Sequence, residues 1–160
     1  MGLVVQIRRD DLTDPRITDF LAEHLQDMRA TSPPESVHAL DLGQLRHPSV
    51  YFWSVWSAAP DATETLVGTG ALKRLDAGHA ELKSMRTAAH FRGQGVARQL
   101  LDHLLAQARG MGFQRLSLET GSQPFFDPAY RLYLAHGFEP CAPFGDYRLD
   151  PNSRYLTRAL

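Results

Sequence analysis

The stretch that most constrains this chain is Arg92-Gly93-Gln94-Gly95-Val96-Ala97, where a strand hands over to a long amphipathic helix. Upstream, His79 to Thr87 reads as a strand leaving the turn Asp76-Ala77-Gly78. Downstream, Val96, Leu100, Leu101, Leu104, Leu105, Ala108 and Met111 recur at helical spacing and mark one apolar face, which ends near Gly110 or Gly112. The first turn of a helix has unpaired N–H groups and a partial positive charge, so it attracts anions. Gly93 and Gly95 let the backbone approach a pyrophosphate, Ala97 keeps the next position small, and Arg92 adds charge. Glycines before a helix can also make no more than a turn. Two other nucleotide motifs do not fit. A dinucleotide fingerprint needs Gly or Ala where Arg98 stands, and a P-loop needs Gly-Lys-Ser/Thr after its spacer.

Around this junction the patterning alternates between strand and helix. Leu3 to Arg8 reads as a strand, and Asp14-Pro15 opens a helix through Ile17, Phe20, Leu21, His24, Leu25 and Met28. Pro33-Pro34 stops that helix, and a short one follows over His38 to Leu45. Tyr51 to Trp56, Thr65 to Leu75 and His79 to Thr87 form an antiparallel meander, turning at Ala59-Pro60-Asp61-Ala62 and at Gly78. Arg115 to Glu119 is a strand, Ala129 to His136 a helix capped by Gly137, and the last strands run from Phe138 and from Ser153 to Leu160. The expected architecture is one α/β (α+β) domain over residues 1–160 with a mixed sheet flanked by helices.

Charge and composition narrow the function. The net charge of -1 gives no footprint for nucleic acid. No apolar run approaches a membrane span, and the N-terminus lacks the order of a signal peptide, so the expected compartment is the cytoplasm. A single cysteine, Cys141, excludes an internal disulfide and reads as a small buried hydrophobe. The seven histidines offer no zinc spacing, so no metal is expected. Trp53, Trp56, Phe125 and Phe126 read as core or pocket wall.

Arg92-x-x-Gly95-x-Ala97 resembles the Q/R-x-x-G-x-G/A signature of the GNAT N-acetyltransferase superfamily, and Met85-x-Thr87 precedes it at the superfamily's strand-to-helix spacing. Leu132-Tyr133-x-x-x-Gly137-Phe138 resembles the second recurring motif, and the element order agrees over nearly the whole chain. Ser32-Pro33-Pro34-Glu35-Ser36, Leu118-Glu119-Thr120-Gly121 and Cys141-x-Pro143-Phe144 look like a bacterial subgroup of small N-acetyltransferases. The resemblance implies a GNAT fold, with a mostly antiparallel sheet of about six to seven strands and about four helices. It also implies acetyl-CoA as cofactor. Met85, Arg86 and Thr87 would line the pantetheine like an added strand, and Arg92, Gly93, Gln94, Gly95, Val96, Ala97 and Arg98 would hold the pyrophosphate. Many members carry Asn after the next strand to contact the cofactor; this chain has Gly121-Ser122-Gln123-Pro124, so Ser122 or Gln123 would have to substitute.

Direct attack of an amine on a thioester needs a base for the amine, a donor for the carbonyl oxygen and an acid for the thiolate. Tyr133 matches the tyrosine that protonates the sulfur in many members; it could equally be a core aromatic. Glu81 stands six residues before Thr87, at the offset of the histone-acetyltransferase glutamate, and is the preferred base. Its alternative is a strand-end carboxylate paired with Lys83 or Arg86. Glu119 is the second candidate and His79 a weaker one, because a lone histidine beside a Gly turn is more often surface. The resemblance implies that the oxyanion donor is a backbone amide near Met85, where the strand ending at Thr87 splays from the next one. The resemblance places the acceptor among Glu35, Ser36, His38, Phe144 and Tyr147, and a homodimer is common in the family. A primary amine of a small molecule is the expected acceptor, with protein or peptide amines as the alternative. A non-catalytic acyl-CoA sensor would need neither Tyr133 nor Glu81. A dinucleotide-dependent oxidoreductase is disfavoured by Arg98 and by the antiparallel meander before the loop.

Overall fold

The computed structural model describes residues 3–37, 41–57 and 63–160. Its strands are β1 (Val5–Arg9), β2 (Val50–Ser57), β3 (Thr65–Arg74), β4 (His79–Thr87), β5 (Arg115–Gly121), β6 (Glu139–Pro140) and β7 (Ser153–Ala159). The helices are α1 (Pro15–Thr31), α2 (Leu42–Leu45), α3 (Val96–Gly110) and α4 (Asp127–Ala135), with 3-10 turns at Pro34–Ser36, Ala89–Phe91 and Pro124–Phe126. One seven-stranded sheet has the order β1-β2-β3-β4-β5-β7-β6. Every neighbouring pair is antiparallel except β4 and β5.

Strand alternation sends successive side chains to opposite faces. On one face Trp53, Val55, Leu72, Leu82, Leu116, Leu118 and Leu156 pack against Val96, Leu100, Leu101, Leu104 and Leu105 of α3 and against Tyr133 of α4. On the other, Phe52, Trp56 and Ala71 meet Leu12, Ile17 and Leu45, beneath α1 and α2. That second face becomes polar toward the middle of the sheet. Register puts Lys73, Glu81, Ser117 and Thr157 in one row across β3, β4, β5 and β7.

The parallel pairing of β4 with β5 stops at Leu82–Leu118, so the β5 side of Lys83–Thr87 has no partner strand. A bulge opens the split. Thr69 pairs with Arg86 and Ala71 with Lys83, so Gly70 alone faces both Ser84 and Met85. Ser84 takes the extra turn with φ 55, and its carbonyl accepts from Thr69 Oγ1 at 2.9 Å. Gly70 permits this because a Cβ there would come within 3.0 Å of Met85 Sδ and 2.9 Å of Leu104 Cδ1.

Several local expectations need correction. The short helix read over His38 to Leu45 is α2, beginning at Leu42 behind a capping box of Asp41 and Gln44; His38 lies outside the described residues. The turn Ala59–Ala62 also lies outside them. The fourth helix starts at Asp127, two residues early, because Pro128 fits a first helical turn. Phe125 is 46% exposed rather than core, and Cys141 is only partly buried.

Candidate active site

The β4–β5 split creates a slot of about 100 Å³ that passes between the strands. Met85, Leu82, Glu119, Gly121, Tyr133 and His24 are among its walls. A larger groove of about 1010 Å³ lies on the polar face, between the 3-10 turn at Glu35–Ser36, the ends of β3 and the segment Gly145–Asn152 before β7. Glu81 and Lys83 line both spaces and therefore form the partition where they meet.

The partition is a closed hydrogen-bonded triangle. Tyr147 Oη donates to Glu81 Oε2 at 2.5 Å, and Lys83 Nζ donates to the same oxygen at 3.2 Å and to Tyr147 Oη at 2.9 Å. The pair is nearly dry, with the Lys83 and Glu81 side chains 9% and 4% exposed. A buried pair needs such added partners, because desolvation offsets much of its attraction. Burial, then the neighbouring Glu81 charge, raises Tyr147 above the ordinary phenol range, so it stays protonated. Phe144 and Tyr155 pack edge-on and tilted against its ring at 5.1 and 5.7 Å. The pairing of Glu81 with Lys83, the alternative weighed for this residue in sequence, is thus present.

Glu119 lies on the same face, one step further along β5. Ser153 Oγ donates to its Oε2 at 2.7 Å. Burial pushes its carboxyl from 4.5 up to about 7, against the pull of the Ser153 bond and the Lys83 charge; Glu81 and Asp150 add smaller upward pushes. Tyr133 enters the slot from α4, 6% exposed, with its ring edge-on to Phe138 at 5.8 Å. Burial, then the Glu119 charge, raises its phenol above the ordinary range, so it keeps its proton at neutral pH. Tyr133 is therefore both a core aromatic and a slot residue.

The α1 side of the slot is built around Arg86. Its guanidinium pairs with Asp27 at 2.6 Å and stands over the Phe20 ring at 5.2 Å. Arg86 Nε is buried without a hydrogen-bond partner among the described residues. Beside it, burial and then the Arg86 charge lower His24 to about 4, so that imidazole is neutral at pH 7. His79 is half-buried rather than surface, with Nε2 2.7 Å from Ser117 Oγ.

At the anion loop, Gly93 and Gly95 have φ of 75 and 83, the left-handed region that L side chains resist. The first α3 bond runs from Gln99 N–H to Gly95 O at 3.1 Å, leaving the Val96, Ala97 and Arg98 amides without intrahelical acceptors. Val96 turns its side chain into the core, so only its amide is available; Arg92 and Arg98 are exposed. The Gln94 carbonyl accepts from Leu3 N–H at 2.8 Å and its side chain donates to His90 O, so its own groups brace the loop. Free amides at a helix start, two left-handed glycines and an unpaired strand edge fit an extended polyphosphate ligand.

A sequence profile described as the acetyltransferase (GNAT) family matches residues 15–138. The uncharacterized N-acetyltransferase YedL of Escherichia coli K12 is 52% identical over 154 residues, covering 96% of this chain and 94% of that protein. The uncharacterized N-acetyltransferase YsnE of Bacillus subtilis 168 is 48% identical over 98% of this chain and all of its own. This chain belongs to the GNAT family. It is an acyl-CoA-dependent acyltransferase, as the family and these relatives establish. A Bacillus subtilis acetyltransferase solved in complex with CoA shares the fold, with TM-score 0.67 at 16% identity over 98% of this chain and 99% of its own.

Within the GNAT frame, the second motif closes α4: Phe138 N–H donates to Tyr133 O at 3.1 Å across Gly137, whose φ is 84. Ser122 and Gln123, expected to replace a cofactor-binding Asn, are committed elsewhere. Ser122 Oγ donates to Pro151 O at 2.7 Å and Gln123 Nε2 to Asn152 Oδ1 at 3.1 Å, which braces the groove wall. Glu35, Ser36 and Tyr147 do line the groove; Phe144 backs Tyr147. Sequence reasoning missed Lys83 as part of the site. Its signal was the two-residue spacing from Glu81, which puts both on one strand face.

Gly121 ends β5 at the slot, and a Cβ there would collide with the Phe126 ring and lie 2.9 Å from Gln123 Oε1. Gly121→Ala is expected to lower stability by about 1–3 kcal/mol through overpacking. A thermal melt checks this; an unchanged midpoint would show that Phe126 moves aside freely.

Proposed function

We propose that the chain transfers the acetyl group of acetyl-CoA to a primary amine of a small molecule by direct attack. The observation that carries this reading is the meeting of groove and slot at Glu81–Lys83, with Glu119 and Tyr133 within the slot. Acetyl-CoA, when bound, supplies a thioester carbonyl activated for attack. The loop Arg92–Arg98 binds its phosphates, and the free edge at Met85–Thr87 hydrogen-bonds its extended arm. The Met85 amide is the oxyanion donor. Arg86 acts through its buried guanidinium by holding α1 against this edge.

Glu119 accepts the proton of the incoming amine. A carboxyl at about 7 is partly ionised at neutral pH and strong enough a base to take the proton. Glu81 is less suited, because Lys83 and Tyr147 both donate to its Oε2. It holds the partition instead and shapes the approach of the amine. Tyr133 Oη gives its proton to the departing sulfur; its raised pKa keeps that proton available.

Tyr133→Phe tests the acid and the reading together. Acetyl-CoA affinity by calorimetry should stay within about twofold, while thiol release falls about 10²-fold. Unchanged thiol release would remove the acid role. Absence of acetyl-CoA binding in the unaltered chain would remove the cofactor.

A further inference from the structure

We propose that the acceptor amine also carries a carboxylate, of the free amino acid class, and that Lys73 anchors that carboxylate. This rests on the reading of the chain as an amine acetyltransferase. Four acids line the groove: Glu35, Glu81, Asp146 and Asp150. Glu81 is engaged by Lys83 and Tyr147, and Asp150 accepts from Ser36 Oγ at 2.6 Å and from the Asn152 amide at 2.8 Å. Glu35 and Asp146 are exposed at the mouth, as is Arg148, and charges there are screened within about 10 Å at ordinary salt. Arg74 lies over the Phe113 ring at 4.4 Å.

Lys73 is different. It is half-buried on the groove wall formed by β3, and no ion pair among the described residues involves it. Register sets it directly opposite Glu81 on the same face. Side chains opposed in this way start about 5 Å apart at Cβ, so the flexible Lys73 ammonium can reach a carboxylate on a molecule whose amine meets the partition. Lys83 and Glu81 cancel as a pair, so Lys73 leaves a net positive charge at this end of the groove and a simple cationic amine is repelled there. A carboxylate on the same molecule turns that repulsion into attraction and orients the amine toward the partition. Lys73 thereby favours amino acids over polyamines and over lysine side chains of proteins.

The experiment measures thiol release with saturating acetyl-CoA. Standard amino acids, β-alanine and 4-aminobutyrate are each compared with the corresponding carboxamide and decarboxylated amine. At least one acid should exceed its amide in kcat/KM by about tenfold or more. Lys73→Met should close that gap chiefly through KM, and Lys73→Arg should keep most of it. The proposal is overturned if amides or decarboxylated amines match the acids, or if Lys73→Met slows acid and amide equally. It is also overturned if no acid is acetylated while calorimetry shows acetyl-CoA bound, an outcome that leaves the cofactor assignment standing. No acetyl-CoA binding at all overturns the transferase reading itself.

Discussion

Glu119→Gln is expected to lower turnover at pH 7 by about two orders of magnitude, to erase the rise of kcat/KM through pH 7, and to stabilise the protein in alkali. The kinetic part follows from the ionisation state. With a carboxyl at about 7, the base form grows as pH climbs from 6 to 8, and a glutamine has no such form. The stability part follows from linkage. The unfolded carboxyl ionises through about 4.5, whereas the folded one holds its proton until about 7. Between those values the unfolded state releases a proton that the folded state keeps, so wild-type stability falls as pH rises across that window. The full difference is about 3 kcal/mol above pH 7 and vanishes below pH 4. The glutamine variant lacks this loss, and its amide oxygen can still accept from Ser153. Melts at pH 4 and pH 8, beside pH–rate profiles, separate the two effects. Glu81→Gln provides the comparison: it should slow the reaction yet keep the step near pH 7. If Glu81→Gln removes the step and Glu119→Gln does not, the proton acceptor is Glu81.

The elements that hold the cofactor region were legible because their patterns are local. The apolar face from Val96 onward gives α3 its start, and His79 to Thr87 matches β4 at both ends. Asp14-Pro15 likewise announces α1, where Asp14 accepts from the Arg16 amide. The site between those elements was less legible. Nothing in the letters around Ser84 marks a left-handed residue, since serine is no glycine; its conformation follows from Gly70 and the packing of α3 on β3. Only the family resemblance places the parting of β4 and β5 near Met85; the residues themselves do not mark it, because Leu82 and Leu118 look like any paired leucines. Tyr147 reaches Glu81 across 66 residues of chain, so its place in the partition depends on the whole sheet order. The same holds for Glu119, whose pKa is a property of burial rather than of its neighbours in sequence. Capping signals at Asp41 and Pro128 were local and readable, and they correct the bounds of α2 and α4.

Gly95→Glu should weaken acetyl-CoA binding by at least about 10²-fold while leaving the fold in place. Gly95 is the N-cap of α3 at φ 83, so any L side chain there carries strain of about 1–2 kcal/mol. That cost alone lowers the melting point but does not unfold a domain of ordinary stability. The binding loss has a separate origin. The new carboxylate sits beside the free amides of Val96, Ala97 and Arg98, where it competes for their hydrogen bonds and repels a phosphate. Gly95→Asn separates strain from charge, because asparagine tolerates the left-handed region and carries no charge. The expected order of affinity is wild type, then the asparagine variant, then the glutamate variant, with native circular dichroism throughout. Increasing salt should recover part of the glutamate variant's loss by screening the repulsion, and none of the part due to displaced hydrogen bonds. Undiminished affinity in Gly95→Glu would mean that the phosphates bind elsewhere, and the match of Arg92-x-x-Gly95-x-Ala97 to a phosphate loop would then reflect only the turn into α3.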